Sequence, residues 1–230
     1  MDRVEPGLGA GTPQRALPCP PLAIEGLVGR SVDLESLRLD RHAADLWAAI
    51  GARPEVWRSI PSGPFEGEPA FQAWLAERLA NPATLIFAIL DKTGERPSAA
   101  GLFFLLQTDQ AMGRTEIGLV YGAALTRRIG GTEGFFLLAR HVFEASGYRR
   151  LEWRCNPDNT ASRRAAERFG FTFEGTLREN LWVKGGVWDT AVYSLLDHEW
   201  PATAERMAAW LSPANFSAEG RQLRALAAPT

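Results

Sequence analysis

The change of hydrophobic period along the chain limits the fold more than any other feature. Three apolar runs of strand character follow one another, Leu85–Leu90, Ala100–Gln107 and Thr115–Leu125, with Gly94 in the first intervening turn. Runs of this length, punctuated by glycine, predict successive strands of one sheet. On either side the period becomes helical. Ala43, Leu46, Trp47 and Ile50 share one face behind a cap expected at Asp40, and Pro69 fits the first turn of a helix carrying Phe71, Trp74, Leu75 and Leu79. Phe135, Leu138, Ala139, Val142 and Phe143 mark a third helix ending at Gly147. A first strand is expected over 33–39, and Leu151–Cys155 is another. A short helix over Ser162–Phe169 stops at Gly170, strands Phe171–Leu177 and Trp188–Leu196 follow, and a last helix runs from about Glu199 to Leu211. Strands and helices mixed in this order belong to the α/β class, in which helices cover the faces of a sheet.

The 230 residues suit one domain, expected over 27–212. Residues 1–26 are rich in Gly, Pro and Ala and poor in large apolar side chains, so they are expected to form a flexible lead. Residues 213–230 are expected to be a C-terminal tail. A formal net charge of −2 gives no global attraction for polyanions, so nucleic acid is not an expected partner. Cys19 and Cys155 form no CxxC pair, and His42, His141 and His198 are scattered, so neither a metal nor a disulfide framework is expected. The first residues lack the basic-then-apolar pattern of a secretory leader, and no run approaches a membrane span. The expectation is a cytoplasmic protein without a membrane partner.

Between the third central strand and the next helix stands Arg127-Arg128-Ile129-Gly130-Gly131-Thr132-Glu133. A glycine pair at such a turn lets backbone N–H groups converge on an anion, and the helix N-terminus adds partial positive charge. The same residues also suit a tight turn with solvated arginines. The Lys-Ser/Thr of a P-loop and the GxGxxG spacing of a dinucleotide site are both absent. Further on, Asn156-Pro157-Asp158-Asn159-Thr160-Ala161-Ser162 leads into Arg168-Phe169-Gly170-Phe171 and then Glu174-Gly175-Thr176-Leu177-Arg178, with Asp189 and Ser194-Leu195-Leu196 beyond. This constellation resembles the GNAT acetyltransferases, in the branch similar to the ribosomal-protein N-terminal (alanine/serine) acetyltransferases.

The resemblance implies a mostly antiparallel, twisted, mixed sheet of about six to seven strands flanked by helices and splayed between its fourth and fifth strands. It also implies acetyl-coenzyme A as co-substrate and a small-molecule or peptide amine as acceptor, in a monomer or homodimer. Coenzyme contacts are implied at Leu125, Arg127, Arg128, Gly130, Gly131, Thr132, Asn159 and Ser162, with Thr132 departing from the family's usual Gly or Ala. Ser162 is an equally good helix N-cap. The family often places a Tyr seven residues after the Asn to protonate the leaving thiolate; here that position is Ala166.

Glu116 is the candidate general base, against the alternative of a solvated strand charge, and Tyr121 is expected to line the cleft near the reacting carbonyl, against ordinary strand packing. An acetyl-cysteine at Cys155 is disfavoured, because the sequence positions no His to activate it. Trp57 and Phe65, in the loop between the first two helices, and Trp182, in the last hairpin, are the expected acceptor walls. Trp57 and Phe65 could equally staple that loop down. The competing functional class is a catalytically weak coenzyme-binding regulatory or interaction domain.

Overall fold

A computed structural model describes residues 17–217 and 221–226. Eight strands form one sheet in the order β1-β2-β3-β4-β5-β6-β8-β7. They are β1 (Gly26–Val28), β2 (Val32–Ser36), β3 (Leu85–Asp91), β4 (Ser98–Asp109), β5 (Arg114–Tyr121), β6 (Arg150–Cys155), β7 (Thr172–Val183) and β8 (Gly186–Leu196). The helices are α1 (Leu39–Leu46), α2 (Glu68–Leu79), α3 (Ile129–Arg140), α4 (Thr160–Phe169) and α5 (Trp200–Leu211). Every neighbouring pair is antiparallel except β5–β6. That parallel ladder joins only Arg114–Ile117 to Arg150–Trp153, although β5 runs on to Tyr121 and β6 to Cys155. The two strands therefore part company midway and leave a cleft in the sheet. The parting falls where the resemblance puts it, the short β1 having shifted the strand count by one.

Period-2 alternation divides the core between the two faces of the sheet. Phe87, Ile89, Phe103, Leu105 and Ile117 pack beneath Phe135, Leu138 and Val142 on the α3–α5 side. Ile86, Ala88, Leu102, Phe104 and Val120 pack against Leu46, Ile50, Trp57, Phe71 and Leu75 on the α1–α2 side. α1 and α3 each run on into a single wide turn, at Trp47–Gly51 and His141–Ala145. No helix of the described residues is long and apolar enough to cross a membrane.

Four local expectations need correcting. Arg38, not Asp40, is the N-cap of α1; Asp40 lies in the first turn, where it accepts from the Arg38 guanidinium at 2.8 Å. The lead is shorter than 1–26, because Cys19, Leu22 and Ile24 are buried in the α3-side core and Tyr148 Oη donates to Pro20 O at 3.1 Å. Its first 16 residues lie outside the described part. The described tail is packed too: Asn215 donates to Trp210 O and accepts from Arg224 N, each at 2.9 Å, Phe216 pairs with Gln222, and Leu226 is buried. Finally, the strand expected to end at Leu177 continues to Val183, past bulges at Phe173/Gly175 and Leu177/Leu181. Lys184 and Gly185, both with positive φ (52° and 73°), then close a two-residue hairpin.

Candidate active site

The cleft has a volume of about 1960 Å³ and runs from the N-terminus of α3, between β5 and β6, to the loop before α2 and the β7–β8 hairpin. At its α3 end the Arg128 N-cap gives the helix no side-chain acceptor, so its first-turn N–H groups remain available. Arg127 reaches this turn through a left-handed backbone (φ 58°), and both arginines are exposed on the cleft wall. A free helix N-terminus flanked by guanidinium groups fits an anion such as a pyrophosphate.

The glycines owe their identity to helix packing. A Cβ on Gly130 would stand 2.7 Å from Val32 Cγ1, and one on Gly131 would stand 2.7 Å from Leu125 O and 2.9 Å from Tyr121 Cε2. Missing Cβ atoms thus bring α3 down onto β2 and β5, where the sequence suggested room for phosphate. Gly131→Ala should therefore lower the stability of the ligand-free protein by about 1–3 kcal/mol, as overpacking does. A melting temperature unchanged without ligand would return Gly131 to a purely ligand-facing role.

The other expected coenzyme residues divide. Leu125 is buried, with its side chain in the α3-side core and its carbonyl accepting from Arg128 N at 3.2 Å. Thr132 is buried, and its Oγ1 accepts from Arg168 Nη1 at 3.0 Å. Asn159 is the N-cap of α4, accepting from Ser162 N at 3.1 Å, so Ser162 is not the cap. Ser162 Oγ instead accepts from Trp153 Nε1 at 3.0 Å. Both Asn159 and Ser162 line the cleft beside the open end of β6.

Tyr121 also lines the cleft, but its hydroxyl donates to Gly131 O at 2.7 Å and its ring meets Phe103 edge-on. Burial pushes the phenol well above its ordinary value, so it stays protonated. Its position makes it a brace for the α3 turn. Ala166 is buried in the core and offers no acid where the family has Tyr.

Glu116 lines the cleft from β5, one residue before the ladder with β6 ends. Its side chain is 13% exposed, and its Oε2 stands 3.4 Å from Arg154 Nε. Neither atom has a hydrogen-bond partner among the described residues. Burial raises the Glu116 carboxyl above its usual range; Arg154 opposes the shift and Glu152 adds to it. Arg154 is shared, since its Nη2 donates to Glu152 Oε2 at 2.9 Å. Arg150 then joins Glu152 at 2.9 Å to Glu174 at 2.6 Å, and Ser194 Oγ donates to Glu174 at 2.8 Å. These pairs draw the Glu174 carboxyl down to about 2, with the Arg150 hydrogen bond as the first cause. Alternation of Arg150, Glu152 and Arg154 along β6 was a legible sign of this charged face.

At the far end, the aromatic residues expected there give way to others. Trp57 is fully buried and Phe65 packs beside it; neither lines the cleft. Trp182 is 74% exposed, on the hairpin surface away from the cleft lining. Trp74 and Trp188 form the aromatic walls instead, with Ser59, Ser62, Gln107, Asn180 and Asp189 around them. Lys184 Nζ reaches across from the hairpin to Trp57 O at 2.5 Å and ties the two sides together. Sequence reasoning also missed Arg168, Trp210, Phe216 and Arg221, which line the cleft near α3.

Residues 32–172 match the family model described as an acetyltransferase (GNAT) domain. A GCN5-related N-acetyltransferase from Brucella melitensis is 39% identical, with a TM-score of 0.87 over 92% of this chain and 96% of that one. The N-acetyltransferase p20 of Bacillus licheniformis is 27% identical over 183 residues, 78% of this chain and 97% of its own length. Spermidine N-acetyltransferase from Vibrio cholerae, solved with CoA and spermine, is only 13% identical. It shares the fold at a TM-score of 0.61 over 74% of this chain and 98% of its own. With the splayed sheet, the open α3 turn and these matches together, the chain belongs to the GNAT family of acetyltransferases.

Proposed function

We propose that the protein transfers the acetyl group of acetyl-coenzyme A to a primary amine by direct attack in a ternary complex. The acceptor is a protein N-terminus, an amino acid or an aminoacyl group. One observation supports this above the rest: a single cleft joins a free helix N-terminus, flanked by arginines, to a largely buried carboxylate with a raised proton affinity. Bound at the α3 turn, acetyl-coenzyme A supplies the thioester. Arg127, Arg128 and the first-turn N–H groups hold its phosphates, and Asn159 and Ser162 flank the path of its pantetheine arm. Glu116 takes the proton of the incoming ammonium. The Vibrio cholerae neighbour's complex with CoA and spermine supports a coenzyme and an amine meeting in one such fold.

Trp74 and Trp188 flank the far end of the cleft, with Asn180 and Asp189 beside Trp188 on the same lining, so an amine can meet aromatic faces and polar groups there. Acetyl-coenzyme A should raise the melting temperature, since a ligand that binds only the native state stabilises it by about 2.7 kcal/mol at a hundredfold excess over Kd. Amines, short peptides and aminoacyl-nucleotides should then be separated by thiol release. Absence of any thermal shift at millimolar coenzyme would end this reading. The rival, a coenzyme-binding domain without catalysis, draws on the missing acid at Ala166; a thermal shift with no thiol release across the panel would favour it.

A further inference from the structure

We infer that Arg168, set against Trp210 and the C-terminal turn that carries Arg221, is a phosphate-binding residue for the nucleotide end of the acetyl donor. This rests on the proposed function and adds a wall to the donor site that lies partly outside the family match of residues 32–172.

Arg168 is a half-buried cation in an unusual setting. Its Nη1 donates to Thr132 Oγ1 at 3.0 Å, in the first turn of α3. Its guanidinium carbon stands 5.1 Å from the Trp210 ring centroid and 5.6 Å from that of Phe169. Burial lowers its proton affinity, the neighbouring Arg206 lowers it further, and only Tyr121 opposes them. No carboxylate among the described residues lies within ion-pair distance of it. A charge removed from water without a counter-ion is unfavourable, and a ligand anion is the partner the site lacks.

Three further features converge on an anion here. Arg164, one turn before Arg168 on α4, lines the same cleft, as do Arg127, Arg128 and Arg221. Trp210 is 7% exposed and lines the cleft, and its Nε1–H has no acceptor among the described residues. The described residues after α5 are fixed onto this wall. Phe216 meets Trp210 edge-on at 5.3 Å, the Arg30 guanidinium stands 6.0 Å from Phe216, and Asn215 ties Trp210 O to Arg224 O. The adenosine and phosphates of a coenzyme A thioester match such a wall: aromatic and cationic on one side, helix N–H groups on the other.

Acetyl-coenzyme A, acetyl-dephospho-coenzyme A and acetyl-pantetheine are the probes, used with the full chain. Arg168→Gln should lower the ratio of kcat/KM for acetyl-coenzyme A over acetyl-pantetheine by about 10-fold, a charge-assisted contact being worth that much. The defect should shrink as salt rises, and Arg168→Lys should restore part of it. Arg221→Gln, at an exposed position, should lower the same ratio about 3-fold without changing the ligand-free melting temperature. If acetyl-dephospho-coenzyme A escapes the Arg168→Gln defect, the bound group is the ribose phosphate; if it suffers equally, the group is the pyrophosphate. An unchanged donor ratio in Arg168→Gln overturns the assignment and leaves Arg168 as a brace between α3 and α5. Failure of the wild type to bind any coenzyme would instead overturn the proposed function itself.

Discussion

Glu116→Gln should lower kcat about 10²-fold while the Kd for acetyl-coenzyme A stays near that of the wild type. Glu116 sits on β5 where the parallel ladder with β6 is about to end, so its carboxylate faces the cleft rather than a neighbouring strand's helix cover. Only its ionised form accepts a proton. Because burial raises the Glu116 carboxyl above its usual range, the rate of the wild type should climb with pH through that raised value. The glutamine variant should lose this acidic limb.

Stability should move the opposite way. A carboxyl that binds its proton more tightly in the folded state stabilises the fold below its unfolded value, and that contribution is lost as pH rises through the folded value. At neutral pH Glu116 is therefore a charge held at a cost. The glutamine variant should melt no lower than the wild type, and Arg154 keeps Glu152 as its partner. An unchanged kcat with an unchanged pH profile would reduce Glu116 to a strand charge, and solvent would be the base.

Most of the elements could be read from the sequence because their signals are local. The apolar runs Leu85–Leu90 and Thr115–Leu125, and the helical stripe from Phe135 to Phe143, depend on neighbours in the chain, and strands and a helix do form there, although β5 stops at Tyr121, four residues short of the run's end. What failed depended on distant partners. Cys19, Leu22 and Ile24 are too sparse to announce a packed segment, yet a core built by α3 and α5 accepts them. Gly130 and Gly131 belong to a turn that suits phosphate, but only the positions of Val32, Leu125 and Tyr121 reveal what excludes their Cβ atoms. Ser162 suited a cap as well as a coenzyme contact, but Asn159, expected only as a coenzyme contact, takes the cap, and the serine hydroxyl is engaged by the Trp153 indole. The acceptor end was the least legible. Which of eight Trp face a cleft is set by side-chain direction across a sheet, and a single register step separates the exposed Trp182 from the cleft-lining Leu181.

Trp57→Ala should cost about 3–5 kcal/mol of stability, the range for removing a large aromatic residue from a core. The indole is fully buried and packs edge-on against Phe65, Phe71 and Trp74 at 4.9, 6.2 and 5.3 Å. Its Nε1 donates to Ile50 O at 2.8 Å, which pins the end of the wide turn after α1. The following loop is shaped around the ring. Gly63 has φ 61°, and a Cβ there would stand 2.7 Å from Trp57 Cγ, so the chain can wrap the indole only with glycine at that point. Deleting the side chain therefore leaves a cavity under that loop, whose remaining anchors are Phe65 against Phe71 and Trp74 and the Trp74–Ser62 hydrogen bond. Trp57→Phe keeps most of the ring and should lose about 1–3 kcal/mol, from the missing indole hydrogen bond and the smaller ring, because Ile50 O keeps the Arg53 N–H at 3.2 Å. Any rise in the acceptor KM should be secondary, arriving through Lys184, whose ammonium holds the Trp57 carbonyl. Denaturant melts beside steady-state kinetics separate the two effects. A stability close to wild type with a large rise in acceptor KM would move Trp57 back from the core into the binding site.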